Sequence, residues 1–319
     1  MRPLLALLIV LSCVCQEAIP FRVDVHLVNV AFSVRDSSGA LIPNLTQDDF
    51  EVLDDGSPQT ISYFANSADL PLTLGLIADY SGSQDRFVKR HRHDLEQFLR
   101  QVLSPRDRAF LVCFGNHLRL ASDFTSSASS VMDGLDRYNH SNRGMPELGP
   151  DETRDLGTAF YDALYYATTD KLAGTEGARK ALIVFSDGED NSSAHHMLDA
   201  IESAQRENVV MFAIRYTEVR KGRLTARNKY GIRVMSRLAS ETGGSDFDAG
   251  KADLNQAFLE IGEDLRSSYE LAYRSTNAVS DGTFHKIVIR AKRPGLIVRT
   301  KTGYFAGQES KLDNAEVVP

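Results

Sequence analysis

The stretch LTLGLIADYSGS, residues 72–83, decides how the rest of the chain is read. Its first half carries Leu72, Leu74, Leu76 and Ile77 in a nearly unbroken apolar run. A short run without alternation predicts a strand covered on both faces, as in parallel sheets flanked by helices. The run stops at Asp79, and Ser81 and Ser83 follow at every second position around Gly82. One carboxylate and two hydroxyls therefore leave the strand end together. All are hard oxygen donors, a set suited to Mg²⁺ rather than to a soft metal. Asp and Ser are also ordinary turn residues after a strand, so the reading depends on what other segments bring to the same place.

Downstream, strands and helices alternate. Phe87, His91, Leu95, Phe98 and Val102 fall four, four, three and four apart, the spacing of an amphipathic helix. His91 on that apolar face reads as a satisfied core histidine, and residues 89–93 as a solvated helix face. Residues 107–114 form the second expected strand, with Cys113 as a small inert core residue. Residues 118–121, after the Gly115-Asn116 turn, are expected to pair antiparallel to it. Helices are expected over 126–138, 158–171, 194–207, 232–242 and 254–265, and strands over 180–186, 209–214 and 245–248. Gly243-Gly244 is the C-cap of the fourth of these helices. This alternation predicts an α/β fold: a doubly wound, mostly parallel sheet with one antiparallel edge strand, over residues 69–267.

The flanks have a different texture. Residues 21–34 alternate strongly, with a change of parity near Leu27-Val28 that predicts a bulge. Asp36-Ser-Ser-Gly39 is a turn, and Thr46 is the N-cap of a short helical turn. Residues 51–53 and 59–64 are a strand and its return strand about the hairpin turn Asp54-Asp55-Gly56. Past residue 268, Tyr269, Leu271 and Tyr273 alternate, and residues 284–291 and 296–302 flank Arg293-Pro294-Gly295 as a further hairpin. Each flank is too small to bury a core of its own. Residues 20–68 and 268–307 are therefore expected to form one small β-sandwich with the α/β domain inserted between them, leaving a polar, disordered tail at 308–319.

The 319 residues are 42% hydrophobic and 25% charged, a globular composition with room for one large or two smaller domains. The net charge of −7 argues against broad nucleic-acid binding. Later hydrophobic segments are too short, or too interrupted by charge, to span a bilayer. The N-terminus stands apart: Arg2, an apolar run over 4–11, and mostly small residues from Ser12 to Cys15. Residues 1–19 read as an export signal, cleaved after Cys15. Alternatively, Val10-Leu11-Ser12-Cys13 resembles a bacterial lipobox, with membrane attachment through a lipid on Cys13. Cleavage after Cys15 leaves Cys113 as the one cysteine, and no intramolecular disulfide framework is available to the mature chain.

Two more oxygen sites complete the constellation. The apolar residues 180–186 run into Asp187, and Thr158 stands in a Leu-Gly-Thr-Ala turn at a helix start. In open α/β sheets, ligands collect outside the carboxyl ends of the strands where strand order reverses. If the strands ending at Asp79 and Asp187 are neighbours there, Asp79, Ser81, Ser83, Thr158 and Asp187 converge. Glu189 and Asp190 read as loop and helix-cap residues. The Asp187–Asn191 run lacks the EF-hand order, and neither a Walker loop nor a G-x-S-x-G elbow is present.

Asp79-x-Ser81-x-Ser83, then Thr158, then Asp187-Gly188, in the contexts LGLIADYSGS, GTAFYDAL and ALIVFSDGEDN, resembles the von Willebrand factor type A domain over roughly residues 70–266. The flanks, LTQDDFEVLDDGSPQTISYF and DGTFHKIVIRAKRPGLIVRTKTGYF, resemble a bacterial exported group that carries this domain. The resemblance implies a metal-ion-dependent adhesion site formed by these five residues. It would hold Mg²⁺, or Mn²⁺ or Ca²⁺ in its place, and leave one coordination position for an Asp or Glu carboxylate of a protein partner. The expected protein is a non-enzymatic adhesion module, periplasmic, outer-membrane-associated or extracellular. The alternatives are a structural or assembly domain with a vestigial metal site, and a Mg²⁺-dependent phosphatase-like enzyme. A dehalogenase-type phosphatase needs a second Asp two residues after the first, where Ser81 stands.

Overall fold

The computed structural model describes residues 27–66, 70–141, 144–150, 157–175, 177–218, 223–276 and 282–306. The expected export segment with Cys13 and Cys15, and the tail 308–319, lie outside these residues. Four strands come first: β1 (Leu27–Arg35), β2 (Phe50–Asp54), β3 (Ser57–Gln59) and β4 (Ile61–Asn66). The alternating region follows as β5 (Leu72–Asp79), α1 (Val88–Val102), β6 (Arg108–Phe114), β7 (Leu118–Thr125), α2 (Ala128–His140), α3 (Phe160–Tyr166) and β8 (Arg179–Ser186). It continues through α4 (Met197–Arg206), β9 (Val209–Arg215), α5 (Ala226–Thr242), β10 (Asp246–Asp248) and α6 (Leu254–Arg266). The chain closes with β11 (Tyr269–Arg274), β12 (Phe284–Ala291), β13 (Ile297–Thr300) and β14 (Gly303–Phe305).

The alternating region forms a six-stranded sheet in the order β10-β9-β8-β5-β6-β7. All its pairings are parallel except that of β6 with the edge strand β7. The apolar run of β5 is buried along its whole length because both faces are covered. Leu72, Leu74 and Leu76 pack with Leu95 and Phe98 of α1, Leu135 of α2 and Phe258 and Ile261 of α6. Ile77 faces the other layer, with Phe160 and Leu164 of α3, Ile201 of α4 and Leu238 of α5. Burying each such leucine stabilises the domain by roughly 1.5–3 kcal/mol. The α/β class read from the sequence is thus the observed one.

Helix bounds differ locally from expectation. The helix after Thr158 is α-helical only to Tyr166, then widens into a π-helical turn over Ala167–Leu172. The α5 helix starts at Ala226, earlier than expected, because Thr225 and Asn228 form a capping box there. It ends as read, on Gly243 in the left-handed conformation. Cys113 is buried and free. His91 is buried on the apolar face of α1; its ring lies against the Asp79 backbone, without a hydrogen bond of good geometry to either nitrogen. Aromatic rings of Tyr216, Tyr80 and Phe87 surround it, the first at 4.2 Å between centroids, and burial pushes its pKa down to about 4.

The flanking segments assemble into two four-stranded antiparallel sheets, β13-β1-β11-β4 and β14-β12-β2-β3, each drawing strands from both ends of the chain. Their shared core holds Val30, Phe32, Val34, Phe50, Val52, Tyr269, Leu271 and Ile287. Phe32 meets Phe50 edge-on at 5.0 Å and stacks on Tyr269 at 5.4 Å. Each such pair adds roughly 0.5–1.5 kcal/mol beyond its area. Two expectations fail within this sandwich. The return strand breaks at Thr60: β3 pairs with β2, while β4 crosses to the other sheet and pairs with β11. Residues 284–291 and 296–302 do not form a hairpin, since β12 pairs with β2 and β14 while β13 pairs with β1. The Arg293-Pro294-Gly295 turn is a corner between sheets. From Leu27 onward β1 pairs with β11 without a register shift, the expected strand's residues 21–26 lying outside the described residues; an irregularity lies between Ala272 and Tyr273 in the β11–β4 pairing.

The sandwich docks on the α/β domain at the N-terminal ends of its strands. Arg35 Nη2 lies 2.8 Å from Asp264 of α6 in a buried pair, and Lys301 Nζ donates to Gln205 O at 3.0 Å and Asn208 Oδ1 at 2.6 Å. Across a strand of this length, the opposite sheet end is roughly 23 Å away. That far end holds Asp79 and stays clear of the sandwich.

Candidate metal centre

β5 lies between β8 and β6, so the chain leaves β5 to one side and returns on the other. Strand order reverses there, and a crevice opens at the carboxyl ends. Ala78 is level with Phe185, so the two strands end side by side and release Asp79 and Asp187 next to each other.

Asp79 is fully buried. Its Oδ1 accepts the Ser81 backbone N–H at 2.9 Å and its Oδ2 accepts the Ser186 hydroxyl at 2.6 Å. The chain then turns into a tight 3₁₀ segment over Gly82–Phe87. That turn brings the Ser81 and Ser83 hydroxyls within 3.1 Å of each other, Ser81 buried and Ser83 exposed. From the same turn, Gln84 Nε2 donates to Asp187 Oδ2 at 2.7 Å, while Asp187 Oδ1 accepts the Glu189 N–H at 3.1 Å. Thr158 arrives from the other side of the crevice. Its N–H donates to Asn191 Oδ1 at 2.6 Å, and its carbonyl accepts the N–H groups of Asn191 and Ser192, which ties it to the loop after β8. Thr158 also shares a cleft of about 400 Å³ with Tyr80, Gly82, Asn116, His117, Tyr138 and Gly157. The fold thus gathers all five residues singled out in the sequence at one sheet end, although Thr158 precedes α3 by two residues and its N-cap is Ala159.

Burial, and next the like charge of Asp187, push the Asp79 carboxyl up to about 7 against the hydrogen bonds from Ser186 and Ser81. Glu189 is also raised, by burial and then by Asp187, with Arg227 opposing from 2.6 Å. Two buried carboxylates with three hydroxyls beside them make an all-oxygen, electronegative donor set. A hard divalent cation fits both its donor chemistry and its excess negative charge.

Several contributors carry no signal in the sequence. Gln84 orients Asp187, and Asn191 holds the Thr158 backbone. Ser186 holds Asp79 and accepts the Gly188 N–H at 3.0 Å. Asp190 is a helix cap, as read, but for α3, accepting the Phe160 N–H at 2.9 Å. Gly188 has φ +78°, and a Cβ on Gly231 of α5 would lie 2.2 Å from the Asp187 carbonyl, so only glycine lets α5 approach the loop this closely.

Residues 74–253 match the family model of the von Willebrand factor type A domain, more than half of the chain, and the chain belongs to that family. Such domains are generally interaction modules rather than enzymes. No curated protein matches the chain. Among solved structures it is similar to an aerotolerance-related membrane protein from Bacteroides fragilis, at 16% identity and a TM-score of 0.46, over 61% of this chain and 98% of that one. It is also similar to BatB from Bacteroides thetaiotaomicron, at 19% identity and a TM-score of 0.43, over 61% and 100%. A third is proximal thread matrix protein 1 from the mussel byssus with a zinc-occupied MIDAS motif, at 15% identity and a TM-score of 0.43, over 63% and 49%. No helix among the described residues is long and apolar enough to cross a membrane.

Proposed function

We propose that the protein is an exported, non-enzymatic adhesion protein that binds a partner's Asp or Glu side chain at a metal-ion-dependent adhesion site. Asp79, Ser81, Ser83, Thr158 and Asp187 would hold Mg²⁺, with Mn²⁺ and Ca²⁺ as the other hard cations the same oxygens accept. When bound, the cation supplies positive charge and a coordination position for the incoming carboxylate. The chain's own residues do the rest. Ser186 and the Ser81 N–H fix the Asp79 carboxylate, and Gln84 fixes that of Asp187. The loop from Asp187 to Ser192 holds Thr158 in place, and the cleft beside Thr158 receives the residue that carries the partner carboxylate.

The observation that carries this reading is the full burial of Asp79 against Asp187, with Ser81 and Ser83 beside it at the crevice between β5 and β8. Two like charges buried together have a purpose if a cation is shared between them. The far placement of the sandwich leaves this end open to a protein partner. Export rests on the N-terminal sequence, through a signal cleaved after Cys15 or a lipid on Cys13. The test is capture of partners from the exported and surface-protein fraction of the native host. Wild type in Mg²⁺ should retain a partner that is lost from wild type in EDTA and from Asp79→Ala, and recovered when Mg²⁺ is restored. Equal capture in all arms would place binding on another surface and end the metal-bridged reading.

A further inference from the structure

Away from the sheet end, two carboxylates and an imidazole meet inside the sandwich. Asp54 is the last residue of β2, Asp55 opens the β2–β3 turn with φ +48°, and His285 is the second residue of β12. His285 Nδ1 lies 2.8 Å from Asp55 Oδ2 and 3.8 Å from Asp54 Oδ1, and the three donor atoms all fall within 4.8 Å of one another. Asp54 and His285 are buried, while Asp55 is exposed. The cluster is therefore walled by the sandwich on one side and open to solvent on the other.

The surroundings fix each donor. Asp54 Oδ2 accepts the hydroxyls of Tyr273 at 3.1 Å, Ser275 at 2.8 Å and Tyr304 at 2.9 Å, and Oδ1 lies on the side of the imidazole. The ring of His285 stacks on Tyr304 at 5.2 Å, and its second nitrogen, Nε2, lies 3.2 Å from the Thr283 hydroxyl. A metal-ligating histidine is commonly held in this way, by a hydrogen bond to the nitrogen that does not bind metal. The Thr283 hydroxyl serves both tautomers, donating to Nε2 when Nδ1 carries the proton and accepting from it when Nδ1 is a ligand.

We propose that Asp54, Asp55 and His285 bind a borderline divalent cation of the Zn²⁺ class, which ties the β2–β3 turn to β12. Zinc bonds of about 2.0–2.1 Å in tetrahedral geometry set neighbouring donor atoms about 3.3 Å apart. The two His285–carboxylate separations of 2.8 and 3.8 Å bracket that value, and the two carboxylate oxygens lie within 4.8 Å of each other, so side-chain adjustment alone brings the donors to that spacing. A nitrogen donor beside two carboxylates selects Zn²⁺, Co²⁺ or Ni²⁺ over Mg²⁺ and Ca²⁺. Water would complete a four-coordinate shell. With a cation on Nδ1, the ring carries its proton on Nε2, facing the Thr283 hydroxyl. Because Asp54 and Asp55 come from one end of the chain and His285 from the other, the cation would lock together the two halves of the sandwich. This site shares no residue with the five-oxygen centre and does not depend on the adhesion reading.

The test uses the full chain stripped of metal, with Asp79→Asn in the parent to disable the oxygen centre and millimolar Mg²⁺ present throughout. Zn²⁺ titrated by calorimetry should bind at one equivalent to this parent. His285→Gln should weaken it by at least about 100-fold and Asp55→Asn by at least about 10-fold. Co²⁺ should give the visible absorption of a tetrahedral centre in the parent and none in His285→Gln. Asn tolerates the left-handed backbone at position 55, so Asp55→Asn carries the test if His285→Gln does not fold. A parent that binds no Zn²⁺ below millimolar concentration overturns the proposal. So does unchanged Zn²⁺ affinity in the two variants, which would reduce the cluster to a hydrogen-bonded Asp–His pair that pins the turn.

Discussion

Replacing Asp79 by asparagine should stabilise the metal-free protein at pH 8 and destabilise it, relative to wild type, once Mg²⁺ is present. The folded-state pKa of Asp79 is raised from 3.8 to about 7, by burial first and by Asp187 second. A carboxyl raised in this sense contributes stability that is full below its unfolded pKa and is lost as pH rises through its folded pKa. The displacement corresponds to about 4 kcal/mol, fully lost by pH 8. The amide carries no charge but has one acceptor oxygen for two donors, Ser186 O–H and Ser81 N–H. Mismatching one buried donor costs about 1–3 kcal/mol. Asp79→Asn in EDTA at pH 8 should therefore gain about 1–3 kcal/mol, a few degrees or more in Tm for a chain of this size. The gain should shrink as pH falls toward 5, where wild type is protonated. Mg²⁺ at 100 times its Kd stabilises wild type by about 2.7 kcal/mol and should reverse the order. Urea melts of both proteins at pH 5 and pH 8, with EDTA and with Mg²⁺, provide the assay. An Asp79→Asn protein that is less stable than wild type in EDTA at both pH values, with no crossing in Mg²⁺, would refute the reasoning.

Further outcomes follow from the same contacts. Burial holds the Lys301 amine down at about 8. The unfolded chain then binds the extra proton between pH 8 and 10.5, and wild type should gain up to about 3 kcal/mol on Lys301→Met across that window; paired urea melts at pH 7.5 and pH 10 measure it. Phe32→Ala opens the aromatic core of the sandwich and should cost about 3–5 kcal/mol by urea melting, with Mg²⁺ binding unaltered. The segment 69–267 expressed alone should melt cooperatively, whereas 20–68 alone should not, because half of each sheet's partners come from the other end of the chain.

What could be read in advance, and what could not, follows the range of the physical signal. The run from Leu72 to Ile77 announces a strand covered on both faces, and its abrupt stop at Asp79 announces a sheet end. Both are properties of a dozen consecutive residues. The shared sandwich was legible from size alone, since neither flank has enough strands to make a core. The route between its sheets was not. A turn such as Arg293-Pro294-Gly295 states that the chain bends, not which sheet it enters next, and Thr60 bears no mark of the crossing between β3 and β4. Gln84 and Asn191 were invisible for a related reason. Each acts on a residue far along the chain, Asp187 and Thr158, and a polar residue in a loop has no periodicity to reveal its partner. His91 shows the opposite case: its place on the apolar face of α1 was evident, but the aromatic side chains that enclose it come together only when α1 meets the segment after β9 and the β5 end. The hairpin signal at Asp54-Asp55-Gly56 was correct as a turn, and hid the meeting of its carboxylates with an imidazole 230 residues away.

The most direct measurement is a calorimetric titration of Mg²⁺ into the metal-stripped full chain, in wild type, Ser81→Ala and Asp79→Asn. The account predicts one Mg²⁺ per chain in wild type and at least about 10-fold weaker binding in each variant, since each loses an oxygen donor at the centre. Absence of a Mg²⁺ site in the folded wild type, or equal affinity in all three proteins, would contradict it.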